Sequence, residues 1–371
     1  MINRTKAEGE RRGPVRVGII GAGFGAVVHI PAMQRVHGAE VTAICARRPE
    51  RAHIAAAQYG VPNALTDYRE MLRDPAIDAV VIATPPFLHH SMVISAVEAG
   101  KHVLCEKPMA RNLAEARDME KIANNGRVAA MVNHEFRFSP VRVHVKKLID
   151  DGFIGEPQSA SLTVFRSSLN DPGGIPFGWL MEADKAGGML GAVGSHHVDA
   201  LRWWFGDVKS VAGAVGTMVK RRRLPESMQM VPVDADDNFS VLMKFANGAI
   251  GSIHYTATAA VDLSDQIVLS GSDGMLMISN EGRLYGGQRD QGLAEIPLPE
   301  PAEEIDPAFD HPLIHPTMLL HREWINWIRT GEEATPSFAD GVRVQEILDG
   351  ALRSSQQGRW VDVVKTRFQL T

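Results

Sequence analysis

Cysteine is the first scarcity in this chain: Cys45 and Cys105 are the only two in 371 residues. A disulfide scaffold and a cysteine metal knuckle are excluded with it. Both thiols fall in apolar runs that read as strands, so they are expected as buried free thiols of a protein in a reducing cytoplasm. Long apolar runs are missing too, none approaching the roughly 20 residues that span a bilayer. Positive charge is not in excess, since the formal net charge is −5, which argues against nucleic acid or an anionic membrane as partner. The basic stretch 220–223 has no interleaved aromatics and reads as a solvated loop. Residues 1–13 are polar and carry Arg11-Arg12, as a twin-arginine export signal would. The uninterrupted apolar segment and small-residue cleavage site of such a signal do not follow, so 1–13 read as a mobile tail.

What is present is the material for a large core, with 44% of the residues hydrophobic. A chain of 371 residues outgrows the roughly 250–300 of a single core, so two domains are expected, 14–138 and 139–371. In the first, the β-branched runs Val15–Ile20, Val41–Cys45, Ala79–Ala83, His102–Cys105 and Val128–Val132 alternate with helical stretches. That alternation predicts an α/β domain with a parallel sheet of Rossmann type. Ala52–Tyr59 reads as a helix stopped by Gly60 and Pro62. Past Arg137-Phe138-Ser139-Pro140 the apolar segments lengthen, alternate with polar residues and are joined by tight turns, which predicts an open, mainly antiparallel sheet. The hairpins 238–245/249–256 and 266–270/275–279 turn at Asn247-Gly248 and Ser272-Asp273-Gly274. Two closing helices carry the apolar stripes Leu320, Trp324, Trp327, Ile328 and Val344, Ile347, Leu348, Leu352.

Gly21-Ala22-Gly23-Phe24-Gly25-Ala26 follows the first strand and opens a helix, the setting in which such a turn binds a dinucleotide. Gly21 permits the tight turn, Gly23 lets the backbone approach the pyrophosphate, and Ala26 lets the helix pack on the strand. An NAD site places an Asp or Glu at the end of the second strand to hold the ribose hydroxyls. Here Ala46 stands in that place, and Glu40 lies at the other end of the strand, roughly 16 Å away. Arg47-Arg48 follow, suited to a 2′-phosphate, so NADP is expected over NAD.

Cys105-Glu106-Lys107-Pro108 ends another strand, where ligands of open α/β sheets bind, so Lys107 is aimed at the cofactor. A partly desolvated amine exchanges protons in the working range, as oxidation of an alcohol by hydride loss requires. Pro108 restricts Lys107 to an extended backbone. The run 187–199 is a glycine-rich approach to a helix, and its glycines are expected to let substrate come close to the backbone. On that helix His196 and Asp199 share a face, so the carboxylate is expected to hold or charge the imidazole, while His197 points elsewhere. Trp179 and the loop 170–177 either cover the substrate or pack beside it. His311, His315 and His321 lack the spacing of a metal site, and no metal is expected.

Together these motifs resemble the Gfo/Idh/MocA oxidoreductase family over nearly the whole chain. The residues that carry the resemblance are the 21–26 turn, Ala83-Thr84-Pro85-Pro86 with His89, and the segments 99–108, 137–140 and 187–199. The resemblance implies hydride transfer between NAD(P) and a sugar, polyol, cyclitol or cyclic diol, and a homodimer or homotetramer formed through the open sheet. It implies Lys107 as proton donor or acceptor and His196 as its partner near the reacting hydroxyl, with Asp199 beside them. On the cofactor side it adds Phe24, Gly25, Thr84, Pro85, His89 and Glu106; on the substrate side, Arg137, Trp179 and Ser195. Many members of that family carry an Asp four residues before this histidine, where this chain has Ala192. A non-catalytic dinucleotide-sensing regulator on the same fold is the alternative.

Overall fold

In a computed structural model that describes residues 13–300, 306 and 309–363, the β-branched runs become buried strands. The tail reading of 1–13 falls almost wholly outside those residues. The strands β1 (Val15–Ile20), β2 (Ala39–Cys45), β3 (Asn63–Leu65), β4 (Ala79–Ile82), β5 (His102–Cys105) and β6 (Ala130–Val132) form a parallel sheet in the order β3-β2-β1-β4-β5-β6. Its crossovers are α1 (Ile30–Met33) behind a wide π-type turn Gly25–His29, α2 (Pro49–Tyr59), α3 (Tyr68–Arg73), α4 (His89–Glu98) and α5 (Leu113–Gly126). The helix α2 begins at Pro49, three residues before the expected Ala52, because proline's fixed φ suits a first turn; it stops on Gly60 at φ +65°.

The strand order reverses between β1 and β4, and the chain leaving each strand is tied to its neighbour's end. Gly21 N donates to Cys45 O at 2.8 Å, Ala83 N to Ile20 O at 2.8 Å, Glu106 N to Ile82 O at 2.9 Å and Asn133 N to Cys105 O at 2.8 Å. One row along the carboxyl edge therefore carries the glycine turn, Thr84, Glu106-Lys107 and Asn133 to Glu135, where sheets of this kind bind ligands.

The second unit runs α6 (Pro140–Asp150), β7 (Pro157–Phe165), α7 (Ser195–Phe205), β8 (Val208–Gly216), β9 (Arg221–Arg223), β10 (Met230–Pro232), β11 (Asn238–Phe245), β12 (Ile250–Thr256), β13 (Leu263–Gly271), β14 (Gly274–Ile278), β15 (Leu284–Gln288) and β16 (Ala294–Glu295). After it come α8 (Ile314–Thr330), α9 (Phe338–Gln357) and β17 (Val361–Asp362). The larger sheet, ordered β16-β15-β14-β13-β7-β12-β11-β8-β17, is antiparallel except for the β7–β12 pair. On its inner face Leu162, Val164, Phe239, Val241 and Ile253 pack with Val198, Leu201 and Trp204 of α7. Leu242 and Ile250 are 46% and 55% exposed; by the alternation of the strands they lie on the opposite face. The basic stretch 220–223 is not a solvated loop: β9 pairs with β10, and the buried Arg222 guanidinium donates to the carbonyls of Leu169, Asp171 and Ile175. A five-donor fork satisfies a loop's carbonyls as readily as it meets solvent.

The chain then closes back on its beginning. In α8, Leu320, Trp324 and Ile325 share a core with Val15, Val17 and Met131, and Trp324 Nε1 donates to Ala129 O at 3.2 Å. The helix α9 serves both units, with Phe338 and Val342 in the core of the parallel sheet and Val344, Ile347, Leu348 and Ala351 in that of the larger one. A boundary at 138/139 divides the sheets but not the packing. Cys45 and Cys105 are buried and free. Among the described residues no helix is long and apolar enough to cross a membrane.

Candidate active site

At the first strand end, the three glycines of the turn do different work. Gly21 has φ +118°, and a Cβ there would sit 2.3 Å from Ala83 O, so only glycine fits. A Cβ on Gly23 would meet nothing within 4 Å, which leaves open space above the turn for a phosphate. A Cβ on Gly25 would lie 3.0 Å from Ile19 Cγ2, so close helix–strand packing falls on Gly25 as well as on the buried Ala26. Phe24 sets its ring edge-on to His29 and His311. At the end of β2, Ala46 N donates to Leu65 O at 3.1 Å, and Arg47 and Arg48 are exposed beyond it. Arg51, which sequence reasoning passes over, donates from Nη2 to Ala22 O at 3.3 Å, bringing a guanidinium to the turn. Glu40 is in register with Arg16, at the far end of the sheet. The open turn, its helix N-terminus and this basic rim fit a dinucleotide.

His89 does not face a ligand. Its ring is fully buried, with Nε2 2.8 Å from Thr84 O and Nδ1 3.1 Å from Pro108 O, so it braces the loop 84–85 against the turn at 107–108. Burial lowers its pKa, so the ring is neutral and donates its one N–H to one of these two carbonyls. Glu106 is equally inward: Oε1 accepts from His29 Nε2 at 2.8 Å and Asn133 Nδ2 at 2.6 Å, and Oε2 accepts from Lys107 N at 3.1 Å. Burial pushes its pKa up, but His29, Lys107 and Asn133 outweigh that and hold it below the ordinary value, as a carboxylate. Behind it His29 Nδ1 lies 2.9 Å from His321 Nε2. His321 thus belongs to a buried chain that orients the Glu106-Lys107 turn.

The Lys107–Pro108 peptide is cis, and Lys107 Nζ donates to Ala192 O at 3.0 Å. Lys107 therefore bridges the Rossmann edge and the turn that enters α7. His196 follows on α7, nearly fully buried, stacked on Phe136 at 3.9 Å between ring centroids and edge-on to His134. Burial, reinforced by the Lys107 charge, drives its pKa well below the usual value and leaves the imidazole neutral. His197 is also buried, with its pKa lowered to about 4 by burial. Ser195 is fully buried, and its Oγ has no hydrogen-bond partner among the described residues.

Asp199 does not hold His196. Its carboxylate accepts from Arg137, Nε to Oδ2 at 2.7 Å and Nη2 to Oδ1 at 2.6 Å, because the 137–140 segment packs against that face of α7. Arg137 is only 5% exposed and also donates to Asp340 at 3.2 Å, so the expected substrate-side Arg137 is instead a buried tie between 135–138, α7 and α9. The carboxyl beside His196 is Glu135, with Oε1 3.7 Å from Nε2. Sequence reasoning misses it, although its place just beyond a strand's carboxyl end is a signal.

Three of the four glycines of the second cluster, Gly187, Gly188 and Gly194, are filled by the chain itself. A Cβ would lie within 2.7 Å of the carbonyls of Trp179, Leu180 and Glu182 at Gly187, 2.1 Å from Asp236 at Gly188 and 2.9 Å from Phe239 at Gly194. Those three are there for packing, whereas a Cβ on Gly191 would meet nothing nearer than Pro108 Cγ at 3.4 Å, beside the Lys107 turn. The half-buried Trp179 sits in the short helical turn Trp179–Met181 docked on Gly187.

Fold and edge together define a dinucleotide-dependent oxidoreductase. Residues 15–134 match the family model described as an oxidoreductase family with an NAD-binding Rossmann fold, and 143–277 match the GFO/IDH/MocA C-terminal domain. The chain belongs to the Gfo/Idh/MocA family of oxidoreductases. It is similar to levoglucosan dehydrogenase of Pseudarthrobacter phenanthrenivorans, 30% identical over 94% of this chain and 98% of that one. Inositol 2-dehydrogenase of Rhizobium meliloti is 27% identical over 94% and 99%. A solved levoglucosan dehydrogenase in complex with NADH and L-sorbose matches with a TM-score of 0.87 at 29% identity, over 95% of this chain and all of that one.

Proposed function

We propose that this protein oxidises a secondary hydroxyl of a sugar, polyol or cyclitol, or reduces the corresponding carbonyl, with Lys107 moving the proton. The observation that carries this is Lys107 itself, on the carboxyl edge of the sheet, with Nζ 3.0 Å from the carbonyl of Ala192 one turn before His196. The nicotinamide of the bound dinucleotide supplies or accepts the hydride. Lys107 takes the hydroxyl proton in oxidation and returns it in reduction, while the neutral His196 hydrogen-bonds the reacting oxygen. Arg47, Arg48 and Arg51 around the ribose end, with Ala46 where an acid would reject a 2′-phosphate, favour NADP over NAD. The N-terminal unit binds the dinucleotide and the larger sheet supplies substrate contacts. The exposed face carrying Leu242 and Ile250 supports a homodimer or homotetramer, which light scattering on the intact protein reads. The two buried free thiols suit a reducing cytoplasm.

One assay tests the core of this: turnover of a panel of sugars, polyols and cyclitols with NADP+ and NAD+, by wild type and Lys107→Met. Turnover that favours NADP+ and falls by roughly 10²-fold or more in the variant supports the reading. Binding of dinucleotide with no turnover of any substrate overturns it in favour of a sensor. Tighter binding of NADH than NADPH overturns the cofactor preference alone.

A further inference from the structure

Past the end of β6 the chain turns inward, and Glu135 there has no evident structural use. Its side chain is fully buried, and neither carboxyl oxygen has a hydrogen-bond partner among the described residues. An ionised carboxylate left so is costly, and folded proteins keep such groups as neutral acids or at working sites. Its neighbours are those of the proposed chemistry. His196 Nε2 lies 3.7 Å from Oε1, and the charges acting on the group come from Glu106 and Lys107 beyond β5 and Arg142 on α6. His134 and His197 flank His196.

We propose that Glu135 is a positioning residue of this site, a proton-holding carboxyl that fixes which ring nitrogen of His196 bears hydrogen and supplies the acid that position 192 lacks. The inference rests on the reading of Lys107 and His196 as the reacting pair. Burial, helped by the nearby Glu106, raises the Glu135 pKa to about 8, so near neutrality the group is a neutral donor facing Nε2. At 3.7 Å the two groups are in contact without a hydrogen bond; a small approach lets Nε2 accept that hydrogen, and the neutral ring then carries its own on Nδ1, which is buried without a partner among the described residues. Above the Glu135 pKa the carboxylate draws hydrogen to Nε2 instead and adds a negative charge beside Lys107, the group that gives a proton in reduction and takes one in oxidation.

Infrared difference spectroscopy of the full-length resting protein reads the group without any substrate. The expected result is a protonated-carboxyl band near neutral pH that disappears with a midpoint near 8 and is missing from Glu135→Gln. In turnover, Glu135→Gln is expected to lower kcat roughly tenfold with dinucleotide affinity unchanged, and to lose the alkaline limb of the pH profile. Adding Ala192→Asp to Glu135→Gln is expected to restore part of kcat. Glu135→Asp keeps the titration, shifted, if Glu135→Gln fails to fold. A wild type without the band, or a Glu135→Gln enzyme with unchanged kcat and pH profile, overturns the proposal. A wild type that turns over no sugar or polyol refutes the proposed function instead, and the spectroscopic titration still decides Glu135.

Discussion

Replacing Arg137 by methionine separates a buried structural tie from a substrate contact. Arg137 and Asp199 are 5% and 1% exposed and joined by two hydrogen bonds of 2.7 and 2.6 Å. Asp340 keeps a second partner in Arg202 at 3.2 Å, but Asp199 has no other ion-pair partner among the described residues. Arg137→Met therefore strands one buried carboxylate, and breaking a buried pair from one side costs about 3–5 kcal/mol. Unfolding entropy of about 2.1 cal/mol/K per residue over 371 residues gives about 0.8 kcal/mol/K. If the chain unfolds as one unit, Tm falls by roughly 4–6 °C. Adding Asp199→Asn removes the stranded charge and is expected to recover about half of that loss, because the amide still lacks its partner. Differential scanning calorimetry of both variants, with KM for whichever polyol the wild type turns over, is the assay. An unchanged Tm with KM raised tenfold would refute the structural reading and return Arg137 to the substrate.

Three further outcomes follow from glycine geometry and from buried imidazoles. Gly21→Ala is expected to destabilise by about 1–3 kcal/mol, from the positive φ and the Ala83 carbonyl. Gly23→Val is expected to keep the wild-type Tm while weakening NADPH and NADH at least about tenfold; unchanged binding would remove the pyrophosphate from this turn. His89, His134, His196, His197 and His321 all have pKa values lowered from 6.5 by burial, His197 to about 4. A depressed histidine pKa gives stability that is whole above pH 6.5 and is lost as pH falls toward 4, because the unfolded chain takes protons the fold refuses. His197→Gln is expected to flatten Tm against pH in that window by one proton, about 1.4 kcal/mol per pH unit. A parallel curve for the variant would show that His197 is charged in the fold.

What the sequence displays best is whatever a local pattern decides. The runs ending at Ile20, Cys45 and Cys105 declare strands because several β-branched or apolar residues must be buried together, and Asn247-Gly248 declares a hairpin because few residues take its backbone. Local signal fails at β3, which is three residues long with Asn63 exposed, and is a strand only because β2 offers an edge. It fails again at Trp324. Its stripe announces a buried face but not that this face packs on the sheet containing Val15, some 300 residues earlier. The same limit hid the pairing of Arg137 with Asp199 rather than His196 with Asp199, since helical spacing offers the nearer partner and only the fold brings the better one.

Glycine makes the contrast sharpest, because a glycine announces that something comes close without saying what. In the 21–26 turn the strand before it and the helix after it restrict the answer: Ala83 O closes on Gly21, Ile19 on Gly25, and Gly23 alone faces open space. In the 187–194 run no such frame exists, and each close approach is made by the chain's own carbonyls, Asp236 or Phe239. Room for a substrate must then come from groups other than Gly187, Gly188 and Gly194. Among the described residues, Glu135 and the Nδ1 of His196 belong to the buried polar groups that remain without a partner near Lys107. Both are contributed from the ends of secondary-structure elements, β6 and the entry to α7, and so from positions whose function depends on which sheet edge they reach. Specificity in this chain is accordingly expected to change with substitutions at 133–136, 192, 193, 195 and 196 before it changes with substitution of Gly187, Gly188 or Gly194.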